Sequence, residues 1–270
     1  MNPKPLYTGR NLNPAYHLRY TWAGWLSQDT FPEKLPDGLL EQIKPLWEQD
    51  GLRLLEPTFS HDSVLLTFSA TPTVSPVFLA ARAKGRLQHV MRQAGIPRKF
   101  SRKVGLRSVG NNRMQDVEKY IANQVKKSSY VDPAFKEKLQ QFTCADRSVD
   151  LSAPTVTKSG RYWYDLHVVL IVEGRYKITS DTELTTIRDG CFRIAERKQH
   201  RISRVSVMPD HLHLALRGNI EHSPQEVVLA FQNNLAYFLG QRRIWKDNYY
   251  VGTFGVYNLN AIRRSQRKGE

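Results

Sequence analysis

Met208-Pro209-Asp210-His211-Leu212-His213-Leu214-Ala215-Leu216 is the stretch on which the reading of this chain turns. Its apolar alternation predicts a strand, and side chains two apart on a strand share a face. His211 and His213 then stand side by side, with Leu212 turned into the core behind them. Two neutral imidazoles suit a divalent metal ion that keeps open positions for a substrate. An isolated pair at this spacing is more often two ordinary surface histidines. Here the setting is more defined, because Pro209-Asp210 precedes it and Ser223-Pro224-Gln225-Glu226 follows it. The latter is a capping box with proline at the first helical position, which opens a helix.

Working outward, the same order of elements occurs earlier in the chain. Residues 16–24 alternate and are rich in aromatics, which predicts a strand. Residues 37–50 predict a helix weakened by Pro45, and 52–56 and 63–69 predict two strands. Ser75-Pro76 caps a helix reaching about Gln93 and carrying Arg82, Lys84, Arg86 and Arg92. A basic loop with Arg98, Lys99, Arg102 and Lys103 leads to a strand at 104–109 and a closing helix at 114–127. Residues 128–160 read as a connector, with a short helix from Asp132-Pro133 to about Phe142.

A shift of 148 residues places Tyr164 on Tyr16, Asp210 on Asp62, Leu214 on Leu66 and Ser223-Pro224 on Ser75-Pro76 without a gap. Each half reads strand, helix, strand, strand, capped helix, strand, helix, which is the mark of an internal duplication. The expected fold class is α+β. The expected organisation is an N-terminal domain at 1–127, a connector at 128–160 and a C-terminal domain at 161–270.

The halves differ where chemistry is concerned. Ser63 and Leu65 occupy the positions of His211 and His213, and His61 reads as a turn residue. The first closing helix carries Tyr120 and Gln124 at a spacing that puts them on one face, a turn apart. With Gly255 set on Gly110, Ser265 and Gly269 fall opposite them. One half has the histidines without the tyrosine, and the other has the tyrosine without the histidines. Taken alone, Tyr120 reads as a core aromatic and Gln124 as a surface amide. The histidine pair, which otherwise lacks a nucleophile, favours a catalytic role for Tyr120.

The composition points to a polyanionic partner, nucleic acid before membrane. Of 270 residues, 40 are Lys or Arg and 25 are Asp or Glu, a formal charge of +15. No apolar run reaches membrane-spanning length, and no signal-peptide core follows Met1. Cys144 and Cys191 form no C-x-x-C motif, which argues against a disulfide scaffold or thiolate zinc site and fits a reducing cytosol.

MPDHLHLAL followed by a capped helix, together with the helical EKYIANQ, resembles the two signatures of the single-tyrosine HUH transposases of the insertion sequence two-hundred family. The resemblance spans roughly residues 14–127 and 162–267. It implies two tandem ferredoxin-like (RRM-like) domains, with antiparallel sheets and flanking helices. It also implies composite sites in which the tyrosine helix of one unit packs against the histidines of the other. Carried over, His211, His213 and Gln124 are the metal ligands and Tyr120 is the nucleophile. The cofactor is Mg²⁺ or Mn²⁺, and the product of attack is a 5′-phosphotyrosine.

The expected protein is thus a fused pseudo-dimer with one working site, monomeric, cytoplasmic and nucleoid-associated in a prokaryote. It would act on single-stranded or hairpin DNA. The alternative is a DNA-binding regulator with vestigial chemistry. Phosphates would meet Arg82, Lys84, Arg86, Arg98, Lys99, Arg102, Lys103, Lys126 and Lys127 in the first half, and Arg242, Arg243 and Lys246 in the second. Tyr257 is a rival nucleophile. Tyr130, Tyr249 and Tyr250 read as packing or base-stacking residues.

Overall fold

The computed structural model describes residues 4–128, 132–175, 177–240 and 242–255. Its first half contains β1 (Asn13–His17), β2 (Arg19–Leu26), α1 (Leu39–Gln49), β3 (Leu52–Phe59), β4 (Ser63–Ala70), α2 (Pro76–Gln93), β5 (Phe100–Val109), α3 (Met114–Ala122) and α4 (Gln124–Lys127). The intervening stretch holds α5 (Pro133–Gln140), β6 (Thr143–Ala145) and β7 (Thr155–Val156). The second half contains β8 (Gly160–Trp163), β9 (Asp165–Val172), α6 (Asp181–Lys198), β10 (Arg201–Val207), β11 (His211–Arg217), α7 (Pro224–Phe238) and β12 (Trp245–Thr253).

The capped starts form as the sequence predicts. The Ser75 hydroxyl accepts from the Phe78 amide, and Ser223 and Glu226 complete a reciprocal capping box. Each cap satisfies a helix N–H that would otherwise lack a partner.

Two six-stranded sheets run β3-β4-β2-β5-β8-β7 and β1-β12-β9-β11-β10-β6. Within them β3-β4-β2-β5 and β10-β11-β9-β12 are antiparallel and share one connectivity, the ferredoxin-like order. The expected antiparallel sheets become mixed at their edges, because each sheet takes a strand from the other half. β1 lies parallel on β12, and β8 lies parallel on β5. The stretch at 16–24 is therefore two strands. The chain leaves one sheet at Leu18 and enters the other, and Tyr164 marks the same step between β8 and β9. The Leu18 carbonyl accepts from the Ala70 amide, and the Tyr164 carbonyl accepts from Gly218.

The registers also shift the correspondence between the halves. Trp22 faces Leu66, and Val168 faces Leu214. Val168 rather than Leu170 thus matches Trp22, a two-residue slip from the gapless alignment. A slip of two preserves which face each side chain takes, so the hydrophobic pattern alone did not reveal it.

Alternate strand residues separate two environments. Leu66 and Phe68, with Leu212, Leu214 and Leu216, belong to one continuous core that also takes in Leu79 and Leu87 of α2 and Val227 and Phe231 of α7. The other face of the second sheet receives α3. Val117 and Ile121, one turn apart on that helix, bury against Ala215 of β11, Leu151 and Phe254. A helix from the first half thus lies across the sheet of the second. Where the last strands of the two halves cross, Gly110 is required: a Cβ there would stand 2.4 Å from the Thr253 carbonyl oxygen. Among the described residues no helix is long and apolar enough to cross a membrane.

Candidate active site

β11 presents His211, His213 and Ala215 on the face that α3 covers. Because Val117 and Ile121 anchor the helix, the residue before Ile121 is turned along the sheet toward the histidines. Tyr120 stands edge-on to His213, with ring centroids 5.5 Å apart and planes at 84°. It is 42% exposed. His211 and His213 are 4.8 Å apart between centroids.

A third imidazole belongs to the group. His167 on β9 lies opposite Ala215, diagonal to His213. Its Nε2 is 3.1 Å from His213 Nδ1, with the rings near-parallel at 19°. Tyr120 is 6.0 Å from the same ring, and Tyr250 of β12 stands 5.7 Å from it. Sequence reasoning missed His167. The available signal was a lone histidine within an apolar strand, and it gains meaning only once β9 is known to neighbour β11.

His211 Nδ1 is 2.6 Å from Asp210 Oδ1. Burial pushes the His213 ring down to about 2 and the His167 ring to about 4, so both are neutral near pH 7. Neutral imidazoles are the form that binds metal.

Gln124 is placed differently from the expectation of one continuous helix at 114–127. The helix breaks at Asn123, whose side chain donates to the Lys119 carbonyl, and Gln124 opens α4. Gln124 is 8% exposed and its amide nitrogen donates to the Tyr120 carbonyl at 3.0 Å. Among the described residues no hydrogen bond joins it to either histidine. Its amide oxygen is the atom it would offer an ion. Lys127 Nζ lies 4.6 Å from the centre of the Tyr120 ring.

The residues fit a divalent ion by donor chemistry. Both histidines of β11 have Nδ1 within hydrogen-bond distance of a neighbour, so Nε2 is the atom each could offer an ion, and the glutamine could add a hard oxygen. Imidazoles favour Mn²⁺ over the more strictly oxygen-seeking Mg²⁺. Among the described residues no group of three or more His, Cys, Asp or Glu side chains is arranged to hold a metal. A set of two imidazoles and an amide is not such a group.

The expected DNA-contacting cations divide. Arg86 donates twice to Asp50, at 2.9 and 3.1 Å, and Arg82 approaches the same carboxylate at 3.6 Å. Lys84 donates to the Ser101 carbonyl, Arg98 to the Thr30 carbonyl, and Arg242 and Arg243 pair with Glu183 and Asp247. Arg98 and Lys99, with Arg92 and Gln88, also line a basic cleft at the end of α2. Tyr249 is core, and Tyr250 belongs to the site. Tyr130, Tyr257, Ser265 and Gly269 lie outside the described residues.

A histidine pair on the central strand of a ferredoxin-like sheet, with a tyrosine helix laid over it, is the arrangement that the single-tyrosine transposases imply. Residues 161–264 match the family described as "Transposase IS200 like". Two solved structures are similar. One is a Deinococcus radiodurans R1 protein described as a transposase, with 18% identity, 38% of this chain and 86% of that one covered, and a TM-score of 0.31. The other is a REP-associated tyrosine transposase bound to a REP hairpin, with 13% identity, 38% and 61% covered, and a TM-score of 0.31. No curated protein matches the chain.

Proposed function

We propose that the protein is a metal-dependent single-stranded DNA endonuclease and strand transferase with one composite site in one chain. In this reading 1–127 and 161–270 are the two units of a fused pseudo-dimer, joined by 128–160. The observation that carries it is the approach of Tyr120, from the first unit, to His213, from the second. The strand order repeated in the two sheets supports the duplication. The opposite site would be inert. Leu65, in the place of His213, packs in an apolar patch with Ala23 and Val109, and Ser63 replaces His211.

A divalent ion bound by His211, His213 and Gln124 would neutralise and polarise a phosphate oxygen. The Tyr120 hydroxyl attacks phosphorus in line and loses its proton. The P–O3′ bond breaks, the departing 3′ oxygen takes up a proton, and the 5′ phosphate stays on Tyr120. Attack by a later 3′-OH reverses the exchange and joins a new strand. Placing the ring over a packed helix restricts the phenol's freedom before attack. Lys127 supplies positive charge beside the ring, where a phosphate would arrive. The charge of +15 favours a polyanionic partner, and the family resemblance makes it single-stranded or hairpin DNA.

The test is incubation with single-stranded hairpin DNA and Mn²⁺, followed by a denaturing gel. The native chain should give a covalent adduct that Tyr120→Phe and His213→Ala lose. An adduct that survives in Tyr120→Phe contradicts the assignment. Tight binding without an adduct on any DNA supports a regulator instead.

A further inference from the structure

We propose that His167 and Asp210 are positioning residues, which hold His213 and His211 in the tautomers that leave Nε2 of each free to take an ion. The inference rests on the metal reading given above and adds two residues to it. Neither is offered as a ligand.

For His211 the logic is direct. An ionised carboxylate only accepts, so Asp210 Oδ1 at 2.6 Å requires the hydrogen on His211 Nδ1. A ring that takes an ion through Nε2 carries its one hydrogen on Nδ1, which is where Asp210 can accept it. For His213 the partner is another imidazole, and two arrangements satisfy the 3.1 Å contact. If His167 Nε2 donates, His213 must carry its own hydrogen on Nε2 and has no lone pair for an ion. If His213 Nδ1 donates, His167 Nε2 accepts, the His167 hydrogen resides on Nδ1, and His213 Nε2 is free. Only the second arrangement makes His213 a ligand by the same atom as His211. The near-parallel rings place the contact close to both ring planes, where nitrogen lone pairs and N–H bonds lie. His167 Nε2 is thereby committed to His213.

β9 supplies this support from a neighbouring strand. His167 faces Ala215, and across an antiparallel pair the diagonal neighbour is within reach of a long side chain. The small Ala215 leaves room for that lean, and α3 closes over it through Val117 and Ile121. The same packing holds Tyr120, so the support for the ligand and the seat of the phenol are built together.

The experiment uses the full chain, labelled with ¹⁵N. In the metal-free protein at neutral pH, long-range ¹H–¹⁵N spectra should show His213 protonated on Nδ1 and His167 accepting on Nε2. His213 protonated on Nε2 overturns the proposal. Mn²⁺ affinity measured by electron paramagnetic resonance gives the second readout. His167→Phe keeps a ring without an acceptor and should weaken binding about 10–100-fold, the usual cost of losing a partner behind a metal ligand. His167→Gln restores an acceptor and should recover most of that loss. Native affinity in His167→Phe overturns the proposal, as does equal weakening in both folded variants. His213→Ala separates the two claims. If it binds Mn²⁺ as well as the native chain, the metal reading fails, and the tautomer spectra still judge the hydrogen bond.

Discussion

Tyr120 and His213 are 93 positions apart in the sequence and lie in different halves of the chain, yet their rings meet edge to face at 5.5 Å. The contact follows from a helix of the first half docking on the sheet of the second. Its strength therefore resides in the anchors of that helix rather than in the two rings.

The first prediction concerns those anchors. Ile121 is fully buried beneath α3, against Ala215 and Phe254. Ile121→Ala removes about 2–4 kcal/mol of packing. It should lower the denaturation midpoint and reduce adduct formation with hairpin DNA, even where the chain remains folded. Ile121→Val should cost about 1 kcal/mol and retain activity. Urea titration alongside the adduct gel checks both.

The crossing of the two halves gives the second. A Cβ on Gly110 would meet the Thr253 carbonyl oxygen at 2.4 Å, and backbone cannot swing aside as a side chain can. Gly110→Ala should destabilise by about 1–3 kcal/mol through overpacking. Gly85, where an added Cβ meets nothing, is the matched control, and Gly85→Ala should be neutral or stabilising. Thermal melts of the two variants decide it.

These features were unequally legible in the sequence. The histidine strand and both serine-proline caps could be read directly, because strand period and capping chemistry are local. The strand order common to the two sheets could be read because those local signals recur in order. The exchange of β1 and β8 was not visible, since alternation runs unbroken through Leu18 and Tyr164 while the chain changes sheets. The two-residue slip was hidden because it keeps every side chain on its face. His167 was hidden because a lone histidine in an apolar strand carries no information until its neighbour strand is known. The break at Asn123 was missed because asparagine disfavours a helix only weakly, and here its side chain bonds back to Lys119.

A buried carboxylate makes stability depend on pH. Burial pushes Asp165 up to about 7, with Arg217 and Arg107 opposing the rise. A folded-state value above the unfolded one favours folding when the group is protonated. That contribution is complete below about pH 4 and is lost as pH rises through 7. Asp165→Asn removes it. The stability of the variant relative to the native chain should increase from pH 5 to pH 8, by at most about 1.4 kcal/mol per pH unit, the limit for one proton. A pH-independent difference in urea titrations would refute the assignment.

The cations should separate into two kinds. Arg86 is held by Asp50, whose side chain is 9% exposed. Arg86→Ala should cost about 1–3 kcal/mol of stability by leaving that carboxylate with only the 3.6 Å approach of Arg82. Lys127→Ala should leave stability nearly unchanged. It should weaken single-stranded DNA binding and reduce the slope of log affinity against log salt by about 0.7, the loss of one phosphate contact on a single strand. Fluorescence anisotropy at several salt concentrations distinguishes the two.

The most direct test of the central claim is to map the residue that becomes linked to DNA. The native chain is trapped on a hairpin substrate with Mn²⁺, digested with trypsin and nuclease, and sequenced by mass spectrometry. The account predicts a nucleotide mass on the phenol of Tyr120, absent when His211 and His213 are replaced by alanine. A modified Tyr257, or a Tyr120 adduct that forms without either histidine, would contradict it.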